Sequence, residues 1–220
     1  MITTKNSAFK LGLKILSLLI LMASGCVSGD SSHKITVGYN LMKPINSYVL
    51  PNSLREISGL TYIDSSTVAC VQDENGIIYI YDLDQNEIIN QIEFNSYGDF
   101  EGITRVNNSM YMLRSDGTLF EISDYSLPDY KLIVYQTNIP AFDNEGLCYD
   151  KLNNRLLIAC KGRTKDDNDM NDQRSIYGFD LKTKKLIPEP VFKFNMKTIS
   201  QFAIDNEIIL QKKKGKKRNA

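Results

Sequence analysis

The sequence predicts an all-β protein, a β-propeller of four-stranded blades, with about three blades and part of a fourth in the chain. One short glycine phrase carries this prediction, since it recurs three times, at Glu56–Thr61, Asp99–Thr104 and Asp143–Cys148. Its glycines are 43 and 44 residues apart, a spacing that suits one four-stranded blade. Between the phrases, short β-prone runs alternate with turns. A β-sandwich would show the same pattern of short strands and turns, but the constant spacing of the phrase favours the propeller.

Each copy of the phrase is followed by the same series of predicted strands. The first copy predicts strands at Leu60–Ile63, Thr67–Gln72, Ile77–Asp82 and Glu87–Phe94. The second predicts Ile103–Val106, Met110–Arg114 and Thr118–Ile122, and the third Leu147–Tyr149, Arg155–Lys161 and Ser175–Asp180. Phe192–Asn195 repeats the outer strand that ends at Asn95. Past the N-terminal segment no sustained helical period stands out, so no helix is predicted there.

The repeat does not run to a full ring. A fourth glycine phrase is due near Phe202, where the chain instead reads Ser200–Asp205 and then turns basic. Propellers usually need four to eight blades. The pattern therefore predicts part of a longer protein, a truncated product or a frameshifted copy. Such an arc would leave a bare sheet edge and an exposed apolar face, which puts stable folding of this chain alone in doubt.

The N-terminal residues read as an export signal. Three lysines precede or interrupt an apolar run, Leu11–Met22, that is too short for a spanning helix. Small residues directly before Cys26 resemble a bacterial lipobox, in which that cysteine is lipidated; the alternative is an ordinary secretory signal with a chance cysteine. The predicted organisation is a lipoprotein signal at 1–25, lipidated Cys26 and tether at 26–47, propeller at 48–211 and basic tail at 212–220.

Composition and charge limit the classes of partner that we expect the chain to bind. From Val27 to Gln211 the chain holds 17 basic and 26 acidic residues, a net charge of −9, which argues against a nucleic-acid partner. The membrane, through the lipid anchor, is the expected partner, with a small-molecule or protein ligand left open. Val27 after Cys26 favours the outer membrane of a bacterial cell envelope, on either face. We expect Cys70, Cys148 and Cys160 to be buried thiols, with Cys70 and Cys160 at matching places in copies one and three.

The acidic residues of the phrase are the leading site candidates. Glu101 and Glu145 directly precede the glycine in two copies, and an acidic residue stands three before it in all three, at Glu56, Asp99 and Asp143. A propeller gathers equivalent positions around one axis, so these carboxylates should converge. Such a group suits Ca²⁺ or Mg²⁺, with Glu101 and Glu145 as the metal candidates. Alternatively, the carboxylates cap backbone N–H groups and pin neighbouring blades together.

Two basic residues form a second candidate group. Arg114 and Lys161 follow the second strand of their blades. They could hold an anionic ligand against the acidic ring, or pair with Glu101 and Glu145 as salt bridges between blades. The acidic loop Lys165–Asp172 lacks the central glycine and final glutamate of an EF-hand and reads as a solvated loop. His33, the single histidine, lies in the tether, which excludes histidine-based triads and histidine-ligated zinc.

Several motifs, in order, resemble the SdiA-regulated (YjiK-like) family of bacterial lipoproteins. They are Leu54–Leu60, Gln72–Gly76, Gly98–Ile103, Leu113–Leu119 and Asn144–Asp150. The resemblance extends over residues 48–194. It implies a β-propeller related to the phytase-like and NHL-like groups, exported and lipid-anchored. Members of that family are usually longer and carry further phrases downstream.

Three functional hypotheses follow. The first is a non-catalytic binding or scaffold lipoprotein of the cell envelope, suggested by the missing nucleophile and base. The second is a Ca²⁺- or Mg²⁺-dependent hydrolase of phosphoesters or lactones, suggested by the carboxylates. The third is an inactive truncated product. The first is favoured, and no catalytic residue is assigned.

Overall fold

The computed structural model describes residues 43–162, 173–206 and 208. The chain divides into two units, Met1–Asn46 and Ser47–Ala220, and the fold below is that of the second. The predicted signal, Cys26, most of the tether, the acidic loop and the basic tail lie outside the described residues. Among the residues that are described, no helix has the length and apolar character needed to cross a membrane.

Three antiparallel sheets follow one another along the chain, as the sequence predicted for propeller blades. Blade 1 comprises β1 (Ile57–Tyr62), β2 (Thr67–Gln72), β3 (Asn75–Asp82) and β4 (Glu87–Tyr97). Blade 2 comprises β5 (Phe100–Val106), β6 (Ser109–Arg114), β7 (Thr118–Ser123) and β8 (Lys131–Gln136). Blade 3 comprises β9 (Asn144–Asp150), β10 (Arg155–Cys160), β11 (Gln173–Asp180) and a divided outer strand, β12 (Lys185–Leu186) and β13 (Phe192–Asn195). In each blade consecutive strands pair, and the inner strands β1, β5 and β9 contact one another in series.

The recurring glycine allows neighbouring inner strands to approach closely. A Cβ added at Gly59 would lie 2.7 Å from the backbone nitrogen of Ile103 and 2.9 Å from the Cα of Gly102. A Cβ added at Gly102 would lie 2.9 Å from the Cβ of Leu147. These separations are too short for real carbon contacts. In blades 1 and 2 the glycine of the phrase is therefore needed because the blade is seated against the next at that point, while Gly146 approaches Ala159 of its own blade.

Two apolar clusters fill the seams between blades. The first joins blade 1 to blade 2 and includes Phe94, Phe100 and Phe120, whose rings meet edge to face at 4.9–5.7 Å between centroids. The second joins blade 2 to blade 3 around residues such as Leu113 and Phe179, both fully buried. Because the clusters lie between sheets rather than within them, burial of apolar area holds successive blades together.

Blade 3 differs from the others in its outer strand. β12 and β13 pair with opposite ends of β11, and the chain bulges away between them at 187–191. Pro188 and Pro190 lie in this bulge and lack the N–H that a continuous ladder would need. The flanking N–H groups of Ile187 and Val191 still donate to β11, to the carbonyls of Gly178 and Ile176.

A helix, α1 (Met196–Asp205), follows blade 3 in the region where a fourth glycine phrase was due but is missing, and where the sequence predicted no helix. The Asn195 side chain caps it by accepting a hydrogen bond from the Thr198 N–H at 3.1 Å. The prediction of no helix was wrong: Met196, Ile199, Phe202 and Ala203 follow a helical spacing over this short segment. In the fold only Ala203 is buried, while Ile199 and Phe202 stay exposed.

The cysteine predictions need two corrections. Cys148 is exposed, although Cys70 and Cys160 are buried as expected, and all three are free thiols. Cys70 and Cys160 are also not at matching places. Strand pairing sets Leu60 opposite Cys70, and Leu147, its counterpart, opposite Ile158, so Cys160 lies two residues further along its strand. The similar local sequences, Ala-Cys-Val and Ala-Cys-Lys, concealed this shift.

Candidate functional site

The residue before each glycine sits in a β-bulge. In β1 the pairing passes from Ile57 to Gly59, in β5 from Phe100 to Gly102, and in β9 from Asn144 to Gly146. The residues skipped are Ser58, Glu101 and Glu145. A bulge turns the side chain of its extra residue away from the regular alternation of the strand, and bulges are common beside functional sites. Three inner strands thus present their bulge residues in the same way.

The electrostatics of Glu101 show which charged groups share its surroundings. Its pKa is raised, first by desolvation because the side chain is partly buried, and then by the negative charges of Asp99, Glu145 and Asp73. Lys161 acts in the opposite direction. We call these five residues, with Asp143, the acidic cluster. Of the carboxylates proposed from sequence, it contains Asp99, Glu101, Asp143 and Glu145.

Lys161 is the positive member of the acidic cluster. Its ammonium group donates a hydrogen bond to Glu145, which raises the pKa of Lys161; Asp143 and Glu101 raise that pKa further by charge. The sequence predicted this pair, but as a bridge between blades. Both residues belong to blade 3, because Glu145 lies on β9 and Lys161 directly follows β10. With 67% of the lysine side chain exposed, the pair adds little stability.

Arg114 lies opposite Phe100 in the strand register, but the ion pair that the structure gives it is with Asp116 and not with Glu101, the partner that the sequence offered as one alternative. Its guanidinium instead makes a bidentate ion pair with Asp116 at 3.1 and 2.7 Å, in the turn after β6. It also donates to the Thr118 hydroxyl at 3.1 Å and lies over the Phe120 ring. The short turn brings Asp116 within reach of Arg114, so a local partner replaces the distant one.

Glu56, the remaining sequence candidate, is exposed, and its charge is not among those that shift the pKa of Glu101. Its backbone carbonyl accepts the Asp73 N–H at 3.3 Å. The equivalent bonds in the other blades run from Ser115 to Asp99 and from Lys161 to Asp143, each 2.8 Å. In every blade, therefore, the backbone carbonyl of the acidic residue three before the glycine accepts a hydrogen bond from the residue after the second strand. This backbone bond does not involve the acidic side chain.

Asp73 is the member of the acidic cluster that sequence reasoning missed. It was assigned to a turn, yet the backbone bonds place it at the position of Lys161 in blade 3. Its Oδ1 atom is buried and has no hydrogen-bond partner in the described part of the chain. Aligning the residue after each second strand, where charged groups recur at Asp73 and Lys161, would have identified it.

The cluster does not fit a metal ion as it stands. Within residues 43–162, 173–206 and 208, no three acidic, histidine or cysteine side chains converge closely enough to hold one. The proposed Ca²⁺ site at Glu101 and Glu145 thus has two glutamates in one region without a third converging donor. The arrangement can offer negative charge to a ligand, with Lys161 as an internal competitor.

These sheets define the chain as a β-propeller protein of three consecutive blades, without assigning it to a family. No protein-family model matches the sequence, and no curated protein matches it. Among solved structures, the β-propeller domain of Cps50 (Swd1) from Myceliophteria thermophila is similar at a TM-score of 0.42 and 10% identity, covering 63% of this chain and 41% of that one. Hydrazine synthase from Kuenenia stuttgartiensis is similar at a TM-score of 0.43 and 12% sequence identity, and the alignment covers 63% of this chain and 37% of that one. The computationally designed Ika4 protein is similar at a TM-score of 0.42 and 13% sequence identity, and the alignment covers 67% of this chain and 78% of that one.

The chain spans only 41% of the length of the Cps50 domain and 37% of that of hydrazine synthase. Likeness at this level says nothing about what this chain binds.

Proposed function

We propose that this chain is a non-catalytic binding domain of a lipid-anchored cell-envelope protein, and that it binds its ligand at the acidic cluster. The observation that carries the proposal is the pair of bulged glutamates, Glu101 and Glu145, on neighbouring inner strands. Each blade contributes one bulge, so the fold presents both side chains to the same region. A repeated backbone irregularity that carries charge is typical of a binding surface.

The charge balance of the acidic cluster favours a cationic ligand. Asp73, Asp99 and Asp143 join the two glutamates against the single positive charge of Lys161. Glu145 is held by Lys161, whereas Glu101 is described with no such ion pair. A ligand ammonium or guanidinium group would relieve the repulsion around Glu101 and compete with Lys161 for Glu145.

The membrane anchor of the proposal rests on the sequence around Cys26 and on the resemblance to SdiA-regulated lipoproteins. In that interpretation the thiol of Cys26 carries the lipid, the tether holds the propeller near the membrane, and the outer membrane is the site of attachment. Metabolic labelling with a palmitate analogue tests the anchor. Label is expected on the wild-type chain and absent from Cys26→Ser; equal labelling of both would contradict it.

Titration of the full-length protein with spermidine and with arginine amide, followed by calorimetry, tests the binding proposal. Glu101→Gln is expected to weaken binding about tenfold, equivalent to about 1.4 kcal/mol. Glu56→Gln is the matched control, because it changes the same phrase outside the cluster, and should leave affinity within about twofold. Lys161→Met should strengthen binding by removing the competitor. Equal losses in Glu101→Gln and Glu56→Gln would contradict the proposal.

A second candidate, a Ca²⁺- or Mg²⁺-dependent hydrolase, has one favourable observation. The raised pKa of Glu101 is a property that acid–base groups of enzymes share. Against it stands the absence of a third converging donor in the described residues. A Ca²⁺-dependent rise in melting temperature that Glu101→Gln/Glu145→Gln abolishes, together with turnover of a phosphoester or lactone, would support the hydrolase over the binding domain.

A further inference from the structure

A buried polar network lies in the seam between blades 2 and 3, away from the acidic cluster. Its centre is Glu121 on β7, whose side chain is 7% exposed. Tyr111 on β6 and Tyr135 on β8 each donate a hydroxyl hydrogen bond to this carboxylate at 2.6 Å. Lys184, in the turn between β11 and β12 of blade 3, reaches across and places its ammonium 2.8 and 2.7 Å from the two carboxylate oxygens. One lysine thus connects the two blades.

All hydrogen-bond donors of the Lys184 ammonium group are used within the network. The Lys184 ammonium has three protons, and its three contacts are the two Glu121 oxygens and the Tyr111 hydroxyl at 2.7 Å. It also lies over the rings of Tyr111 and Tyr135, at 5.1 and 5.7 Å from their centroids. No donor of Lys184 is left for a ligand. The network therefore serves to connect blade 2 to blade 3.

The equivalent positions in the first seam are apolar. Strand pairing aligns Ala69 with Tyr111, Ile80 with Glu121 and Ile92 with Tyr135. Ala69, Ile80 and Ile92 are all buried in the cluster between blades 1 and 2. The same fold therefore builds one seam from Ala, Ile and Ile and the next from Tyr, Glu and Tyr. The architecture therefore does not require an ion pair at these positions.

An open groove lies at the surface beside the network, lined by residues that include Tyr135, Phe179 and Lys184, and a similar groove lies beside Ile92 at the first seam. A buried ion pair contributes little net stability, because desolvation opposes the attraction, but it strongly penalises any arrangement in which one charge loses its partner. Lys184 itself has a φ of 57°, a left-handed conformation that is uncommon for lysine.

We propose that Lys184 and Glu121 form a registry lock that fixes the position of blade 3 against blade 2, because any other seating would separate the buried Glu121 carboxylate from its ammonium partner. The lock holds the second seam in a single arrangement and leaves the first seam unaffected. Its contribution is to conformational specificity, with net stability secondary. Since β9, which carries Glu145, belongs to blade 3, the lock also fixes the distance between Glu101 and Glu145.

Hydrogen exchange of the full-length protein, measured by mass spectrometry beside thermal melting, tests the lock. Lys184→Met leaves Glu121 buried without its partner. It should lower Tm by about 5–15 °C and speed exchange in β7, β8 and β11 at least tenfold, with β2 and β3 unchanged. The double variant Glu121→Ile/Lys184→Met, which copies the first seam, should recover most of the Tm. Its exchange in the second seam should remain fast.

Lys185→Met is the matched control, since Lys185 is the exposed lysine beside Lys184, and it should behave as wild type in both measurements. If Lys184→Met does not fold, Tyr135→Phe removes one hydroxyl from the network, and its faster exchange should again be confined to the second seam. Two results would overturn the proposal: wild-type exchange in the double variant, or equal behaviour of Lys184→Met and Lys185→Met.

Discussion

Glu101 and Glu145 occupy the same bulge position in neighbouring inner strands, one residue before the glycine that lets those strands meet. Glu145 is paired with Lys161, while Glu101 is surrounded by other carboxylates and has a raised pKa. Two residues that the sequence makes equivalent are therefore chemically different in the fold. The difference arises because the residue after the second strand is aspartate in blade 1, serine in blade 2 and lysine in blade 3.

Glu101→Gln should make the protein more stable at neutral pH. Desolvation and the charges of Asp99 and Glu145 raise the pKa of Glu101 above its ordinary 4.5, so the folded state favours the protonated form. That preference contributes stability below the ordinary pKa and is lost as pH rises through the raised value. Glutamine, which stays neutral, should raise Tm at pH 7 and give no difference near pH 3. A loss of equal size at both pH values would contradict this.

Gly59→Ala should destabilise the first seam. The added methyl would stand 2.7 Å from the nitrogen of Ile103 and 2.9 Å from the Cα of Gly102, both backbone atoms that can yield only if the blades part. Overpacking of this kind costs about 1–3 kcal/mol. Urea denaturation should show a lower midpoint with an unchanged slope. Cys148→Ala, at an exposed position of β9, is the control and should keep the wild-type midpoint.

Thiol labelling should separate the three described cysteines. Cys148 is exposed, whereas burial raises the pKa of Cys70 to about 11 and that of Cys160 to about 12. Because the thiolate is the reactive form, native protein at pH 8 should incorporate label at Cys148 before the other two. Peptide mapping after iodoacetamide treatment measures this, with Cys148→Ser as control. Rapid labelling of Cys70 or Cys160 without denaturant would contradict the described packing.

Arg114 should couple to Asp116 and not to Glu101. The bidentate contact with Arg114 lowers the pKa of Asp116 to about 2, so the pair contributes stability above the ordinary 3.8 and loses it as pH falls through 2. With the aspartate side chain 53% exposed, screening limits the coupling to less than about 1 kcal/mol. Double-mutant cycles with Arg114→Gln measure it. A larger coupling of Arg114 with Glu101→Gln would restore the pairing that the sequence suggested.

Much of the fold could be predicted because strand and turn signals are local. The glycine spacing predicted the three blades, and the predicted strands came within a few residues of the observed ones, but β8 and β12 were not predicted. The helix α1 was missed because its helical apolar spacing extends over only ten residues, too short a run to count as a sustained period. The site was predicted less well. Asp99, Glu101, Asp143 and Glu145 do share one region, while Arg114 found a partner two residues away and Asp73 was taken for part of a turn.

The sequence by itself predicted the three blades seen in the described residues and the places where their inner strands meet, because spacing and glycine are properties of the chain. Tertiary structure alone decided the register. The register sets Cys70 opposite Leu60 but Ile158 opposite Leu147, which separates Cys70 from Cys160 in alignment, and it sets Lys161 beside Glu145. It likewise decided that Glu121 is buried against Lys184, 63 residues away. Such choices depend on hydrogen bonds and burial between distant segments, which no local pattern contains.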